Sequence, residues 1–275
     1  MTRSARLKPK TINQLILRVL AIPLILYIII PLIALITQVP FDEFVDIVNG
    51  GQVMQAVTLS LVTCTISTAI TILAGTPLAY SLSRKRTKLA TVIDTIIDLP
   101  TVLPPAVAGV ALLIAFGRRG LIGSYLAEAG LAIPFTQIAV IMAQTFVASP
   151  FYVKAAVIGF SNVNRELLEA ASLDGANSWQ SFQAITLPLA GFSILSGAVM
   201  TWARALGEFG ATIIFAGNFP GRTQTMPLAI YVGFELELKT ALTLSFILIC
   251  FSFFTLIAVK TLLNRFVELE QTSTE

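Results

Sequence analysis

Residues 57–83 read VTLSLVTCTISTAITILAGTPLAYSLS, twenty-seven positions without a charge, and the next five read RKRTK. A helix needs roughly 20 apolar residues to cross the ~30 Å hydrocarbon core of a bilayer. This run is long enough to span, and it stops at a cationic anchor. Four more stretches, 19–39, 99–116, 135–153 and 241–259, carry no charge, and 189–216 carries only Arg204 and Glu208. The expectation is an all-α integral membrane protein of six transmembrane helices. Composition agrees. Of the 275 residues 56% are apolar and only 12% charged, with a mean hydropathy of +0.84. A soluble domain carries about 25% charged residues, so this chain has too little polar surface to coat a water-soluble body. The same hydropathy excludes a disordered chain.

Charge position fixes an expected orientation, because cytoplasmic loops are enriched in Lys and Arg. Thirteen basic residues fall on one side: Arg3, Arg6, Lys8, Lys10, Arg18, Arg84, Lys85, Arg86, Lys88, Lys154, Arg165, Lys260 and Arg265. Four fall on the other: Arg118, Arg119, Arg222 and Lys239. Both termini are therefore expected in the cytoplasm and the bundle in the plasma (inner) membrane. The basic start fits a cleaved signal, but the first apolar run exceeds an h-region and no small-x-small site follows it. We read an uncleaved first span. The expected organisation is a cytoplasmic segment at 1–18, a transmembrane domain at 19–263 and a cytoplasmic tail at 264–275. No internal repeat supports an inverted-repeat carrier.

Several chemistries drop out. The net charge of +3 is too small to argue for nucleic acid, and the absence of histidine removes imidazole ligands and the commonest general base. Cys64 and Cys250 sit far apart in apolar runs and read as core residues. No metal cluster and no nucleophile–base set is visible, so we expect no catalytic residue, no metal and no cofactor on this chain. No G-x-x-x-x-G-K-[ST] phosphate loop is present. Gly117-Arg118-Arg119-Gly120 is the nearest glycine cluster and lacks the Lys and the spacing.

The connection at 161–188 is unlike the others. It has 28 residues, where helix connections in bundles usually have about 2–8, and it carries helical punctuation. Asn162 or Asn164 can cap a helix in which Glu166 falls in the first turn and complements the dipole. Leu167, Leu168, Ala171 and Leu173 form an apolar stripe. Gly175 suits the left-handed position past a helix end. Asn177 or Ser178 can cap a second short helix with Trp179 and Phe182 on one face, and Pro188 marks the next span. One reading is a hairpin resting on lipid headgroups. The other is a docking element for a cytosolic partner, favoured because Glu166, Glu169 and Asp174 oppose Arg165 alone, whereas interfacial membrane helices are basic.

Within that connection Glu169-Ala170-Ala171, then Gly175 after three residues, then Ile185-Thr186-Leu187-Pro188 after nine more, resembles the full EAA motif of binding-protein-dependent ABC importer permeases. Asp98-Leu99-Pro100-Thr101-Val102-Leu103-Pro104-Pro105 resembles the approach to the third span in molybdate and sulfate permeases. Residues 204–212 (RALGEFGAT), 215–218 (FAGN) and 221–225 (GRTQT) are similar to the molybdate permeases in particular. The resemblance covers roughly residues 50 to 262. It implies a membrane-spanning permease subunit of an ATP-driven importer for an oxyanion, molybdate or tungstate, with sulfate or thiosulfate as the alternative. It further implies a separate ATPase subunit that uses the ATP, an extracytoplasmic substrate-binding protein and a second permease copy. In such a protein Glu169, Ala170, Ala171, Asp174, Gly175, Ile185, Leu187 and Pro188 would couple to the ATPase.

Arg204 and Glu208, the charges within a span, should face the interior and be paired. Four apart, they share a helix face, although Arg before Glu is the weaker order. A structural ion pair and a gate or pathway element both remain open. Ala203, Gly207 and Ala211 repeat small residues at the spacing that lets helices approach closely. A path for a dianion would offer hydroxyls and amides, and Thr212, Asn218 and Thr223 are candidates. Pro100, Pro104 and Pro105 break the third span, either to shape a pathway or hinge or for packing. A proton- or sodium-coupled anion carrier would place carboxylates or histidines in its spans, and only Glu208 qualifies.

Overall fold

The computed structural model describes residues 9–84 and 87–272. Arg3, Arg6, Lys8, Lys85 and Arg86 lie outside the described residues, as do the ends of the two expected terminal segments. Among the described residues the chain is helical throughout, without a strand. The first half holds α1 (Pro9–Thr37), α2 (Phe44–Asn49), α3 (Gln52–Arg84), α4 (Lys88–Val102), α5 (Pro105–Phe116), α6 (Gly123–Glu128) and α7 (Gln137–Ser161). The second half holds α8 (Arg165–Leu173), α9 (Ser178–Ser181), a π-turn (Phe182–Thr186), α10 (Leu187–Leu206), α11 (Gly210–Phe215), α12 (Met226–Leu236) and α13 (Leu238–Thr272).

Among the described residues five helical segments are long and apolar enough to cross a membrane: Arg18–Thr37, Gln52–Arg84, Gln137–Ser161, Ser178–Leu206 and Leu238–Thr261. The expected third span, 99–116, is not one straight helix. It is the pair α4 and α5, which meet at a bend of 117°. The cause is local. A proline pushes the residue before it out of the α region, and Leu103 is extended (ψ 136°) ahead of Pro104. Pro105 then opens α5 at its first turn, where a missing N–H costs no helical bond. Helix α4 also begins earlier than expected, with Thr87 accepting a hydrogen bond from the Ala90 amide at 3.2 Å.

Helix α7 is the centre of the bundle, with α3 and α10 packed along it. Ala139, Ala143, Ala148 and Ala156 on α7 are completely enclosed, and side chains this small let helix backbones approach. The face that α3 buries is polar for a membrane protein: Ser60, Thr63, Ser67 and Thr71 are all buried. These hydroxyls are satisfied at short range. Thr63 donates to the Leu59 carbonyl (2.8 Å), Thr71 to the Ser67 carbonyl (2.9 Å), and Ser67 bonds Thr145 of α7 (3.0 Å). Ser60 does something else. Its Oγ accepts from the amide of Met226 at 2.7 Å and so caps α12, whose own Thr225 provides no side-chain cap. Helix α1 buries none of its apolar window, leaving that surface to lipid.

Helix α5 packs on α11 at Gly109, which is fully buried within a tight contact. A Cβ there would lie 2.8 Å from the Ala211 carbonyl oxygen and 2.8 Å from Ile214 Cβ. Gly109→Val should therefore separate the two helices and cost about 1–3 kcal/mol of overpacking strain. The expected readout is a lower thermal midpoint of the detergent-solubilised protein, and an unaltered midpoint would contradict this close approach.

Candidate functional site

Two places gather the residues that the sequence singled out. The first is the turn between α7 and α10. Asn162 ends α7, and Asn164 is the residue that starts α8: its Oδ1 accepts from the Glu166 amide at 3.0 Å, and its amide group donates to the Glu166 carboxylate at 3.3 Å. Helix α8 then closes with both bonds of a Schellman cap. The Ala176 amide donates to the Ala171 carbonyl (2.9 Å) and the Gly175 amide to the Ser172 carbonyl (3.1 Å). Gly175 has φ +87° with open space around it, so it is required for its backbone angle and not for room. Asn177, not Ser178, caps the following turn through a complete capping box with Gln180.

Helix α8 buries none of its residues. Glu169, Ala170, Asp174 and Gly175 are exposed, while Leu168 and Ala171 are half-buried. The expected apolar stripe is thus divided, for Leu167 (47% exposed) and Leu173 (89%) face away from the bundle. The second short helix also differs from the expectation. From Ser178 to Leu206 the chain is one apolar helix with a π-turn inside it. Pro188 has no N–H to offer the carbonyl one turn back, and the amide of Leu187 bonds Phe182 instead, one residue further than in an α-helix. Ile185 is half-buried and Leu187 and Pro188 are exposed.

Phe182 is not an exposed anchor. Its ring meets Tyr80 of α3 at 4.9 Å and Phe160 of α7 at 6.0 Å, and it stacks on Trp179 at 5.6 Å. Trp179 stays 63% exposed. One aromatic cluster therefore joins the exposed turn to the ends of both central helices.

The second place is the end of α10. The expected span 189–216 stops at Leu206, and a break at 207–209 separates it from α11. Gly207 is the exposed cap of α10, so the small-residue series Ala203, Gly207, Ala211 does not run along one helix; Ala211 alone of the three packs against α5. Across the break Arg204 Nη1 bonds Glu208 Oε2 at 2.8 Å, and Glu208 is 1% exposed. Its other oxygen, Oε1, accepts from the Ala211 amide at 2.9 Å. This explains an order of charges that an unbroken helix would disfavour. Arg204 sits at the C-terminus of one helix and Glu208 at the N-terminus of the next, each the favourable charge for its dipole.

The pathway candidates fall nearby. Thr212 is buried and its hydroxyl has no partner, and the Oδ1 of half-buried Asn218 is likewise enclosed without one. Thr223 is buried with its hydroxyl engaged by the loop, accepting from the Phe219 amide at 3.0 Å. Pro100 lies in the last turn of α4, Pro104 caps α5 and Pro105 begins it. One cluster was missed from the sequence: Lys154 of α7 bonds both Asp94 (2.7 Å) and Asp98 (2.8 Å) of α4. The available signal was the pair of carboxylates four apart on one face, which asks for a cation. Among the described residues no group of acidic or cysteine side chains is placed to hold a metal.

Residues 71–268 match the family described as the inner membrane component of binding-protein-dependent transport systems. The chain is 39% identical over 229 residues to the molybdenum transport system permease protein ModB of Mycobacterium tuberculosis, covering 83% of this chain and 87% of that one. It is 34% identical over 214 residues to the sulfate transport system permease protein CysW of Synechococcus elongatus, covering 76% and 74%. Its fold is similar to that of a chain in the crystal structure of a bacterial ABC transporter involved in import of the acidic polysaccharide alginate (TM-score 0.73, 19% identity, 93% of this chain and 96% of that one).

Replacing Glu208 separates its two roles. Glu208→Ala removes the pair and the cap together and should cost about 3 kcal/mol, the lower end for breaking a buried pair, because Arg204 is only partly buried. Glu208→Gln retains an acceptor for the Ala211 amide and should fall between the alanine variant and the parent. Thermal midpoints of the three proteins measure this, and equal midpoints would remove the pair from any structural role.

Proposed function

This chain belongs to the family of inner membrane components of binding-protein-dependent transport systems, and we propose that it is the permease subunit of an ATP-driven importer for the molybdate class of tetrahedral oxyanions. One observation carries the reading: the sequence EAA-x3-G-x9-I-x-LP is built into an exposed helix and Schellman turn that project from the ends of the central spans. A surface held rigid by caps at both ends, yet burying none of α8, is suited to seat in another protein. Family members are membrane transport components, not enzymes. ATP would be bound and hydrolysed by a separate ATPase subunit that receives Glu169, Ala170, Ala171, Asp174 and Gly175, with Ile185, Leu187 and Pro188 at the root of the turn.

The multi-pass bundle would sit in the inner membrane with both termini and α8 on the cytoplasmic side, facing the ATPase, and with an extracytoplasmic binding protein on the other. A second copy of the permease would complete the path. The greater similarity to a molybdenum permease than to a sulfate permease supports molybdate as the cargo. A dianion is expensive to move through a dry bundle, and the unpartnered hydroxyl of Thr212 and carbonyl of Asn218 are groups suited to line a passage without trapping it. The Arg204–Glu208 pair beside Gly207 closes the end of α10 and would serve as a gate element.

The mechanical link would run through aromatic contacts. Movement of the ATPase against α8 is transmitted by Trp179 and Phe182 to Tyr80 and Phe160, and thus to α3 and α7 together.

Two measurements test this reading. Gly175→Asp places a side chain at φ +87° and should leave membrane insertion intact while abolishing molybdate uptake and co-purification of the ATPase; normal uptake would remove α8 from coupling. The partner binding protein should retain molybdate in preference to sulfate in a competition assay. The opposite preference would reassign the cargo to sulfate, and uptake that survives complete ATP depletion would point to a carrier.

A further inference from the structure

The mechanism uses neither Arg84 nor Arg165, yet these side chains meet at one cavity. It has a volume of about 510 Å³, lies where the ends of α3 and α7 meet the start of α8, and is lined by Ser83, Arg84, Phe160, Ser161, Val163 and Arg165. Among the described residues no acidic side chain lines it. Nε and Nη2 of Arg84 are enclosed and have no hydrogen-bond partner. The guanidinium carbon lies 5.2 Å from the centre of the Tyr80 ring, which supports the cation but accepts no N–H. Among the described residues neither arginine has a carboxylate within 4 Å.

Enclosed guanidinium N–H groups without an acceptor are costly, and native proteins rarely leave them so. The carboxylate that borders the neighbouring space is no remedy. Glu169 lines an adjoining cavity of about 360 Å³ that also touches Arg84 and Arg165, but it forms an ion pair with neither. What the first cavity lacks is an acceptor of several lone pairs and negative charge that two planar forks can grip from different helices. Phosphate-like oxyanions meet that description, and arginine is the side chain suited to them.

We propose that this cavity binds a tetrahedral oxyanion of phosphate chemistry, held between Arg84 at the end of α3 and Arg165 at the start of α8. Ser83 and Ser161 border the same space. Such an ion has two sources: the phosphate of an anionic lipid headgroup, as basic pockets between membrane helices take, or a free oxyanion from solution. Either would tie α8 to the end of α3 and stiffen the root of the exposed turn.

The test uses the full-length permease in neutral detergent and in nanodiscs. Inorganic phosphate is titrated against the thermal midpoint, with potassium chloride at matched ionic strength as reference. Nanodiscs of phosphatidylcholine alone are compared with nanodiscs containing phosphatidylglycerol. A rise with phosphate identifies a free oxyanion, and a rise only with phosphatidylglycerol identifies a lipid headgroup. Either rise should be lost in R84Q/R165Q. R165Q alone changes an exposed side chain that leaves the bundle intact, and it should weaken the apparent affinity about tenfold or more. The proposal is overturned if neither phosphate nor phosphatidylglycerol raises the midpoint, if chloride does so equally, or if the double variant responds like the parent.

Discussion

An apolar slab offers no water to a broken helix. Every amide or carbonyl released at a break must find a partner within the protein, and the architecture of this chain follows from how its breaks are closed. At 103–105 two prolines remove donors at the point where the chain turns, so little is left to satisfy. At 207–209 a carboxylate does the work, taking the Ala211 amide with one oxygen and Arg204 with the other. At the start of α12 the acceptor comes from a different helix altogether, Ser60 of α3. Given these closures, short segments such as α5, α11 and α12 can pack at depth without exposing backbone.

The long spans around them obey a simpler rule. Alanines on α7 and hydroxyls on α3 allow close approach where lipid tails supply no driving force for one apolar surface to prefer another. The outer surface, α1 above all, is left apolar. Two charged clusters are exceptions: Lys154 with Asp94 and Asp98, which ties α7 to α4, and Lys239 with Glu43 at 2.6 Å where α13 meets α2.

Much of this was written in the sequence. The uncharged run from Val57 gives the end of α3 at Arg84 almost to the residue, because charge is excluded by the same physics everywhere in the core, but the helix begins more than a turn earlier, at Gln52. The turn at Gly175 was legible because few residues accept a left-handed backbone, and asparagine and glycine announce both ends of α8. The break after Leu206 was not legible. Gly207 in an apolar run reads as a packing site, and only the fold reveals that Glu208 serves two helices. The contact of Lys154 with Asp94 is 60 positions apart, and no periodicity reports such a distance. The spacing of Phe182 from Trp179 fixes which side of the helix it occupies, but not that Tyr80 and Phe160 lie opposite that side.

Ser60 and Met226 are 166 positions apart, which has a consequence for biogenesis. A ribosome feeding this chain into the membrane delivers α3 long before α12 exists. The hydroxyl that will complete α12 is therefore already in place when that short segment arrives, and the segment is too brief to stand in the bilayer by itself. The closing third of the polypeptide is laid onto a template made from the opening third, so a lesion early in the chain is felt at a helix synthesised much later.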